Sequence, residues 1–229
     1  MNKIAIIPAR GGSKRILKKS IKKFLGTPII AYSIKAALES NLFDEIIVST
    51  DDKEISDIAK KYGAKVPFFR SSKNSDDFAT TFDVLKEVLK NYKDRNANFE
   101  FGCCIYPAAP LVSRELLIKG YDKISKENWD TVLPIVEFNH PIERAMQLDT
   151  KNRLKFILPE NSTKRTQDVK KTFHDTGQFY WFNVEKLLKN DCLISENTSG
   201  FIVSQNDTQD IDNSEDWRLA ESKYKFKNK

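Results

Sequence analysis

Asp210-Ile211-Asp212 places two acids on either side of one branched apolar residue. In an extended segment residues i and i+2 share a face, so both carboxylates point one way while Ile211 packs the other. Convergent carboxylates repel unless a cation lies between them, and hard oxygens suit Mg2+. The structural alternative is that Asp212 caps the last helix and Asp210 is solvated. At the other end of the chain, Ala9-Arg10-Gly11-Gly12-Ser13-Lys14-Arg15 joins two glycines to three cations, with Lys18 and Lys19 following. Glycines let a backbone turn tightly and bring N–H groups to a ligand, and the cations add charge at the same place. That is chemistry suited to a polyphosphate, although a simple turn on a basic protein would look similar. The loop lacks the Gly-Lys-Ser/Thr ending of a P-loop and the G-x-G-x-x-G spacing of a dinucleotide fingerprint. A polyphosphate loop in the same chain makes Mg2+, bridging carboxylates and phosphate oxygens, a coherent reading of the acid pair.

Other candidates are each open to two readings. Arg70 could stack on or hydrogen-bond a base, or pair with Asp76 or Asp77. Tyr106-Pro107-Ala108-Ala109-Pro110 is a turn of small residues that would admit a ligand closely or merely be rigid. Arg165 could hold a carboxylate through two parallel hydrogen bonds or lie on the surface. His174-Asp175 suggests an acid–base pair, yet neighbours on a strand face opposite ways. Cys103, Cys104 and Cys192 are an odd count without C-x-x-C spacing, so core filling is expected in place of a disulfide or metal site.

The elements that must position these residues follow a strand–helix alternation. Ile4 to Ile7 reads as a buried strand ending at Pro8, and Thr27-Pro28 as the cap and first position of a helix through Leu38. Glu45 to Thr50 is a strand, Asp51 or Asp52 caps a helix to about Tyr62, and Lys65 to Phe69 is a third strand. Phe78 to Tyr92 is an amphipathic helix, Phe101 to Tyr106 a strand, Ser113 to Lys126 a helix and Thr131 to Val136 a strand. From 137 to 173 the pattern breaks into a β-rich excursion of two or three strands, better suited to a subunit contact than to a core. Gly177 to Phe182 rejoins the sheet, Val184 to Lys189 is a short helix and Phe201 to Val203 a late strand. A last helix runs from Glu215 to about Tyr224, capped by Asn213 or Ser214. The expected architecture is one α/β domain over 1–229, a mostly parallel central sheet with helices on both faces.

With 229 residues, 31% charged and 40% hydrophobic, the chain can build a full core. The apolar runs are too short to span a bilayer and the N-terminus leads directly into a strand, so a cytoplasmic protein is expected, without a membrane partner. The net charge of +6 permits an acidic partner. The lysines are dispersed and form no recognition module, which favours an anionic small molecule over nucleic acid. Lys223 to Lys229 reads as a solvated tail.

Together these motifs resemble one family. Ile7-Pro8-Ala9-Arg10-Gly11-Gly12-Ser13-Lys14-Arg15 is similar to the opening motif of the cytidylyltransferases that activate nonulosonic (nine-carbon, sialic-acid-like) sugars. Gln209-Asp210-Ile211-Asp212, followed by Glu215-Asp216-Trp217, resembles their closing metal motif. Arg165-Thr166-Gln167-Asp168 and Phe173-His174-Asp175-Thr176-Gly177-Gln178-Phe179-Tyr180-Trp181 are similar to the branch that makes CMP-pseudaminic acid. The resemblance implies a Rossmann-like nucleotide-transferase fold, a homodimer formed through 137–173, CTP as substrate and Mg2+ as cofactor. It implies that Arg10 and Lys19, with the backbone at Ala9, Gly11, Gly12 and Ser13, meet the triphosphate, and that Ser20, Arg70 and Thr81 contact the nucleotide. It assigns the metal to Asp210 and Asp212, and the sugar acid to Tyr106, Gln178 and Arg165, the last presented across the dimer. Tyr106 stands where the sialic acid branch carries a sugar-reading glutamine. Two departures are visible: the family's I-P-x-K-N is Ile16-Leu17-Lys18-Lys19-Ser20, and a hydroxyl of the fourth-strand turn is absent at Ala108.

The expected activity is therefore transfer of CMP from CTP to the anomeric hydroxyl of a nonulosonic acid, pseudaminic acid foremost, with release of pyrophosphate. The same reaction on sialic or legionaminic acid is the alternative enzyme reading. A non-catalytic nucleotide-binding regulator is the alternative of another class, and would not need paired aspartates.

Overall fold

The computed structural model describes residues 2–13 and 15–228; Lys14, one of the expected loop cations, lies outside the described residues. The first strand, β1 (Lys3–Pro8), is built on Ile4 to Ile7, none of which is solvent-exposed. After it come a small hairpin, β2 (Lys23–Phe24) and β3 (Thr27–Pro28), then α1 (Ile30–Ser40), β4 (Glu45–Ser49) and α2 (Lys53–Lys61). Next are α3 (Thr81–Lys93), β5 (Phe101–Ile105), α4 (Arg114–Lys126) and β6 (Thr131–Glu137). A second hairpin, β7 (Met146–Leu148) with β8 (Leu154–Phe156), stands off the main sheet. The chain closes with β9 (Phe173–Asp175), β10 (Phe179–Asn183), α5 (Val184–Asn190), β11 (Thr198–Ile202) and α6 (Ser214–Lys227).

The main sheet runs β11-β6-β10-β5-β1-β4, with β9 also paired to β6. β1 is parallel to β4 and β5, and β11 is parallel to β6. β10 is antiparallel to both of its neighbours and β9 is antiparallel to β6. β1, β4, β5, β6 and β11 thus share one direction and the sheet is mostly parallel, as expected. Side chains alternate along β1, so Ala5 and Ile7 pack with α1, α2 and α4 on one face, while Ile4 and Ile6 pack with α3 and α5 on the other. Helices cover both faces. A third cluster, Ile16, Phe24, Ile29, Ile211, Trp217 and Ala220, ties α6 and the small hairpin to the loop behind β1.

Several local expectations are corrected. Thr27-Pro28 is not a helix cap but the strand β3, paired to β2 across a turn in which Leu25 (φ 46°) and Gly26 (φ 87°) are both left-handed. The chain enters α1 through Ile29, which makes no side-chain cap bond. Lys65 to Phe69 makes one parallel bridge, Lys65 to Ile47, and no strand. Pro67 has no N–H with which to extend the ladder. α3 starts at Thr81 and not near Phe78, because Thr80 and Asp83 form a reciprocal capping box worth about 1 kcal/mol. Asp52, Ser113 and Asn213 cap α2, α4 and α6. α6 continues through Lys227, so Lys223 belongs to a helix and not to a solvated tail. Its Nζ donates to the carbonyls of Gln205 and Thr208, both at 2.8 Å, and pins the turn that leads to Asp210. Cys103 and Cys104 are fully buried free thiols in β5, as expected. No helix of the described residues is long and apolar enough to cross a membrane.

Candidate active site

The loops that follow β1 and β5, at the carboxyl ends of those strands, open a cleft of about 410 Å³. That is where open α/β sheets bind ligands. Arg10, Ser13, Arg15, Lys19 and Ser20 contribute from the first loop, and Tyr106 from the end of β5. Asp175, Gly177 and Tyr180 border it from the β9–β10 segment, and Asp210 and Asp212 from the stretch before α6.

The basic wall is tied to the acidic one. Lys19 is partly buried and its Nζ donates to the Ile211 carbonyl at 2.7 Å. Burial lowers the Lys19 pKa, against the opposing pull of the Asp212 and Asp210 charges. The Arg15 guanidinium is 2.5 Å from the Asp212 carboxylate. Arg10 lines the cleft, but its guanidinium is held by the loop before α3, donating to the Asp76 carbonyl at 2.8 Å and pairing with Asp77 at 2.9 Å. Asp77 therefore pairs with Arg10, not with Arg70.

Ile211 is 1% exposed and anchors the third core cluster, while Asp210 and Asp212 on either side of it line the cleft. Helix capping is the work of Asn213 with Asp216, whose carboxylate also accepts from the Asp212 N–H at 2.9 Å. Asp212 is not the cap. Burial first, then the neighbouring Asp212 charge, raises the Asp210 pKa, while Lys19 works against both. Among the described residues no three metal-ligating side chains converge. A pair of mutually repelling carboxylates facing an open cleft nevertheless fits Mg2+, which keeps several waters and takes one or two carboxylates together with substrate phosphates.

The remaining expected site residues differ in how far they reach the cleft. Ala9, Gly11 and Ser13 have their N–H groups bonded within the protein, to the Ser49 carbonyl (2.9 Å), the Asp51 carboxylate (2.9 Å) and the Gly11 carbonyl (3.0 Å). Gly11 is also packed so closely that an added Cβ would lie 2.9 Å from Asp52 Oδ2; Gly12 has open space around it. Ser20 is buried at the cleft floor. Arg70 does not line the cleft; it is 8% exposed, its Nε donating to Ser49 Oγ at 3.1 Å and a terminal nitrogen to the Ser49 carbonyl. Burial lowers its pKa, opposed by Asp51 and Glu87.

Tyr106 lines the cleft, its hydroxyl 2.9 Å from Thr81 Oγ1 and its ring edge-on to Tyr180. Gln178 is buried and turned away, donating to the Asp207 carbonyl at 2.6 Å, with its Oε1 unpartnered. Arg165 is exposed on the excursion, bonded to Asp168 at 2.7 and 3.2 Å, and does not reach its own chain's cleft. Of the other cleft residues, Arg15 is one of the expected loop cations, Asp175 stood in the sequence only as a candidate partner of His174, and Tyr180 is not singled out there as a site. The period-2 alternation through Phe173-His174-Asp175 was the available signal for Asp175.

A mostly parallel α/β sheet, a basic loop after its first strand and a carboxylate pair beside that loop define a Rossmann-like nucleotidyltransferase. The chain belongs to the cytidylyltransferase family, whose model matches residues 4–194. It is 38% identical over 225 residues to a pseudaminic acid cytidylyltransferase of Campylobacter jejuni subsp. jejuni serotype O:2, covering 98% of this chain and 97% of that one. The counterpart from serotype O:23/36 is 39% identical with the same coverage. Among solved structures, a CMP:2-keto-3-deoxy-manno-octonic acid synthetase complexed with CTP superposes with a TM-score of 0.70 at 16% identity, covering 99% of this chain and 100% of that one, which establishes the shared fold.

Proposed function

We propose that this cytidylyltransferase transfers CMP from CTP to the anomeric hydroxyl of pseudaminic acid, releasing pyrophosphate. The observation that carries the reading is the cleft itself. Arg10, Arg15 and Lys19 line it together with Asp210 and Asp212, in a chain 38% identical over nearly its whole length to a pseudaminic acid cytidylyltransferase.

In that reaction the sugar's hydroxyl oxygen bonds to the α-phosphorus and gives its proton to solvent, the bond from that phosphorus to the α,β-bridging oxygen breaks, and pyrophosphate leaves. Arg10, released from Asp77, and Lys19 hold the triphosphate and offset its charge; Arg15 is drawn to the same phosphates from Asp212. Ser13 and Ser20 supply hydroxyl contacts at the cleft floor. Asp210 and Asp212 would hold Mg2+, which when bound neutralises phosphate charge and draws the acid pair and the triphosphate together. Most of the acceleration then comes from position and fixed charge. Arg70 supports the base side of the site by fixing the end of β4, and Thr81 holds the hydroxyl of Tyr106, which faces the sugar acid.

The protein works as a homodimer in this reading. The excursion exposes Met146, Leu148, Leu154 and Ile157 on and beside its hairpin, apolar surface that a second copy would cover. Arg165, idle with respect to its own cleft, is then available to the carboxylate of a sugar in the partner's. The test is pyrophosphate release from CTP with pseudaminic, legionaminic and neuraminic acids side by side. Turnover with pseudaminic acid at the highest kcat/KM is expected; equal or better turnover with another acid would reassign the sugar, and none with any of them would remove the reading.

A further inference from the structure

Asp175 is a cleft carboxylate that none of the pairings above uses. It ends β9, opposite Ile135 of β6, and its side chain borders the cleft. His174 faces the other way, its ring centre 4.7 Å from that of Phe138. Two protein donors orient the carboxylate: the Gly177 N–H reaches Oδ1 and the Tyr180 hydroxyl reaches Oδ2, each at 2.5 Å. Tyr180 is itself fixed, buried with its ring edge-on to Tyr106 at 5.8 Å. Among the described residues Asp175 forms no ion pair, whereas Asp212 has Arg15. An ionised carboxylate offers about four acceptor positions, so roughly half remain for a ligand.

The chemistry of those remaining positions is restrictive. Phosphate oxygens and the carboxylate of a sugar acid are anionic acceptors and would be repelled there. A neutral hydroxyl or amide N–H is the group that a fixed carboxylate outside any ion pair of the described residues attracts, through a charge-assisted hydrogen bond. Gly177 is the hinge that brings this acceptor beside the acid pair. It has φ +61°, and a Cβ built on it would stand 3.3 Å from the Asp210 carboxyl carbon. A sugar whose anomeric hydroxyl is delivered to the acid pair therefore presents its neighbouring substituents to Asp175.

We infer that Asp175 contacts the sugar acid, accepting a hydrogen bond from a neutral O–H or N–H donor, and that it selects sugar acids carrying a donor at that place. The inference rests on the nonulosonic acid reading above. Tyr180 acts through it as a positioning residue.

The test compares the wild type with Asp175→Asn and Tyr180→Phe in steady-state pyrophosphate release, KM being measured separately for CTP and for the sugar acid. Asp175→Asn should raise the sugar KM roughly ten- to a hundredfold, with the CTP KM and the Mg2+ requirement within about twofold of wild type. Tyr180→Phe should move the sugar KM the same way by less. Repeating the comparison with an acylamino sugar acid and its hydroxyl counterpart identifies the donor. Loss confined to the first assigns an N–H, and equal loss on both assigns a hydroxyl. A wild-type sugar KM in Asp175→Asn overturns the inference, as does a fall in kcat alone or a shift confined to CTP or Mg2+. Absence of wild-type turnover on every sugar acid would instead sink the activity reading, and this inference with it. Should Asp175→Asn fail to fold, Tyr180→Phe decides by the same criteria.

Discussion

The Nζ of Lys19 donates a 2.7 Å hydrogen bond to the carbonyl of Ile211, joining the loop behind β1 to the peptide between the two cleft acids, 192 residues away. In the proposed reaction the same cation would meet the triphosphate while holding the acidic segment in place. Lys19→Met should lower turnover by a factor on the order of 100 through the lost charge. It should also lower the thermal midpoint of the ligand-free protein, since the Ile211 carbonyl loses its donor. A variant with normal kcat/KM and an unchanged midpoint would show that neither role is real.

Asp210 and Asp212 cost the ligand-free protein something, because burial and the second charge both disfavour ionised Asp210. Asp210→Asn should therefore melt at the same temperature as wild type or higher, while losing at least about 100-fold in kcat. Calorimetric Mg2+ titration in the presence of CTP should weaken in the same variant. Lower stability with retained activity would reverse the assignment.

Gly177 is needed for its backbone and for its missing side chain. Gly177→Ala forces an L-residue to φ +61° and sets a methyl 3.3 Å from the Asp210 carboxyl carbon. A loss of about 1–2 kcal/mol in urea unfolding is expected, with a reduced kcat as Asp210 shifts.

Glu87 anchors the loop that carries Asp76 and Asp77, and so sets where Arg10 rests. Its carboxylate accepts from the Ser71 N–H and hydroxyl, both at 2.8 Å, and from Asn74. Burial alone would push its pKa up, but these donors and the Arg70 charge bring it below the usual 4.5. A carboxyl with a depressed folded-state pKa stabilises above its unfolded pKa and loses that contribution as pH falls through the folded value. Glu87→Gln should thus be less stable than wild type at neutral pH by about 1 kcal/mol, discounted for partial solvation. The gap should close only below about pH 4.5. A gap independent of pH would mean that packing, not charge, is responsible.

The apolar hairpin makes a prediction in solution. Leu148→Glu combined with Leu154→Glu, both on its exposed surface, should convert a dimer to a monomer in sedimentation velocity and reduce kcat/KM for the sugar acid more than for CTP, because Arg165 is withdrawn with the partner. A wild-type monomer would end the dimer reading.

Much of the molecule is legible in its sequence. Ile4 to Ile7 had to be a buried strand, since four apolar residues without helical period have nowhere else to go, and Asp52, Ser113 and Asn213 act locally as caps. The acid pair was readable because the strand period alone puts Asp210 and Asp212 on one face. Lys65 to Phe69 and Thr27-Pro28 misled because pairing partners, not local preference, decide strands and hairpins. Partners at a distance also decided the rest. Arg10 takes Asp77 and leaves Arg70 to Ser49, Gln178 turns inward to Asp207, and Lys223 leaves the solvent for two carbonyls. Asp175 reaches the cleft beside Asp210 only because Gly177 bends the chain between β9 and β10. Residue type and short-range period are properties of neighbours in the chain, so sequence carries them. Which cation meets which acid depends on loops converging at one sheet edge from opposite ends of the chain, and only the folded chain brings them together.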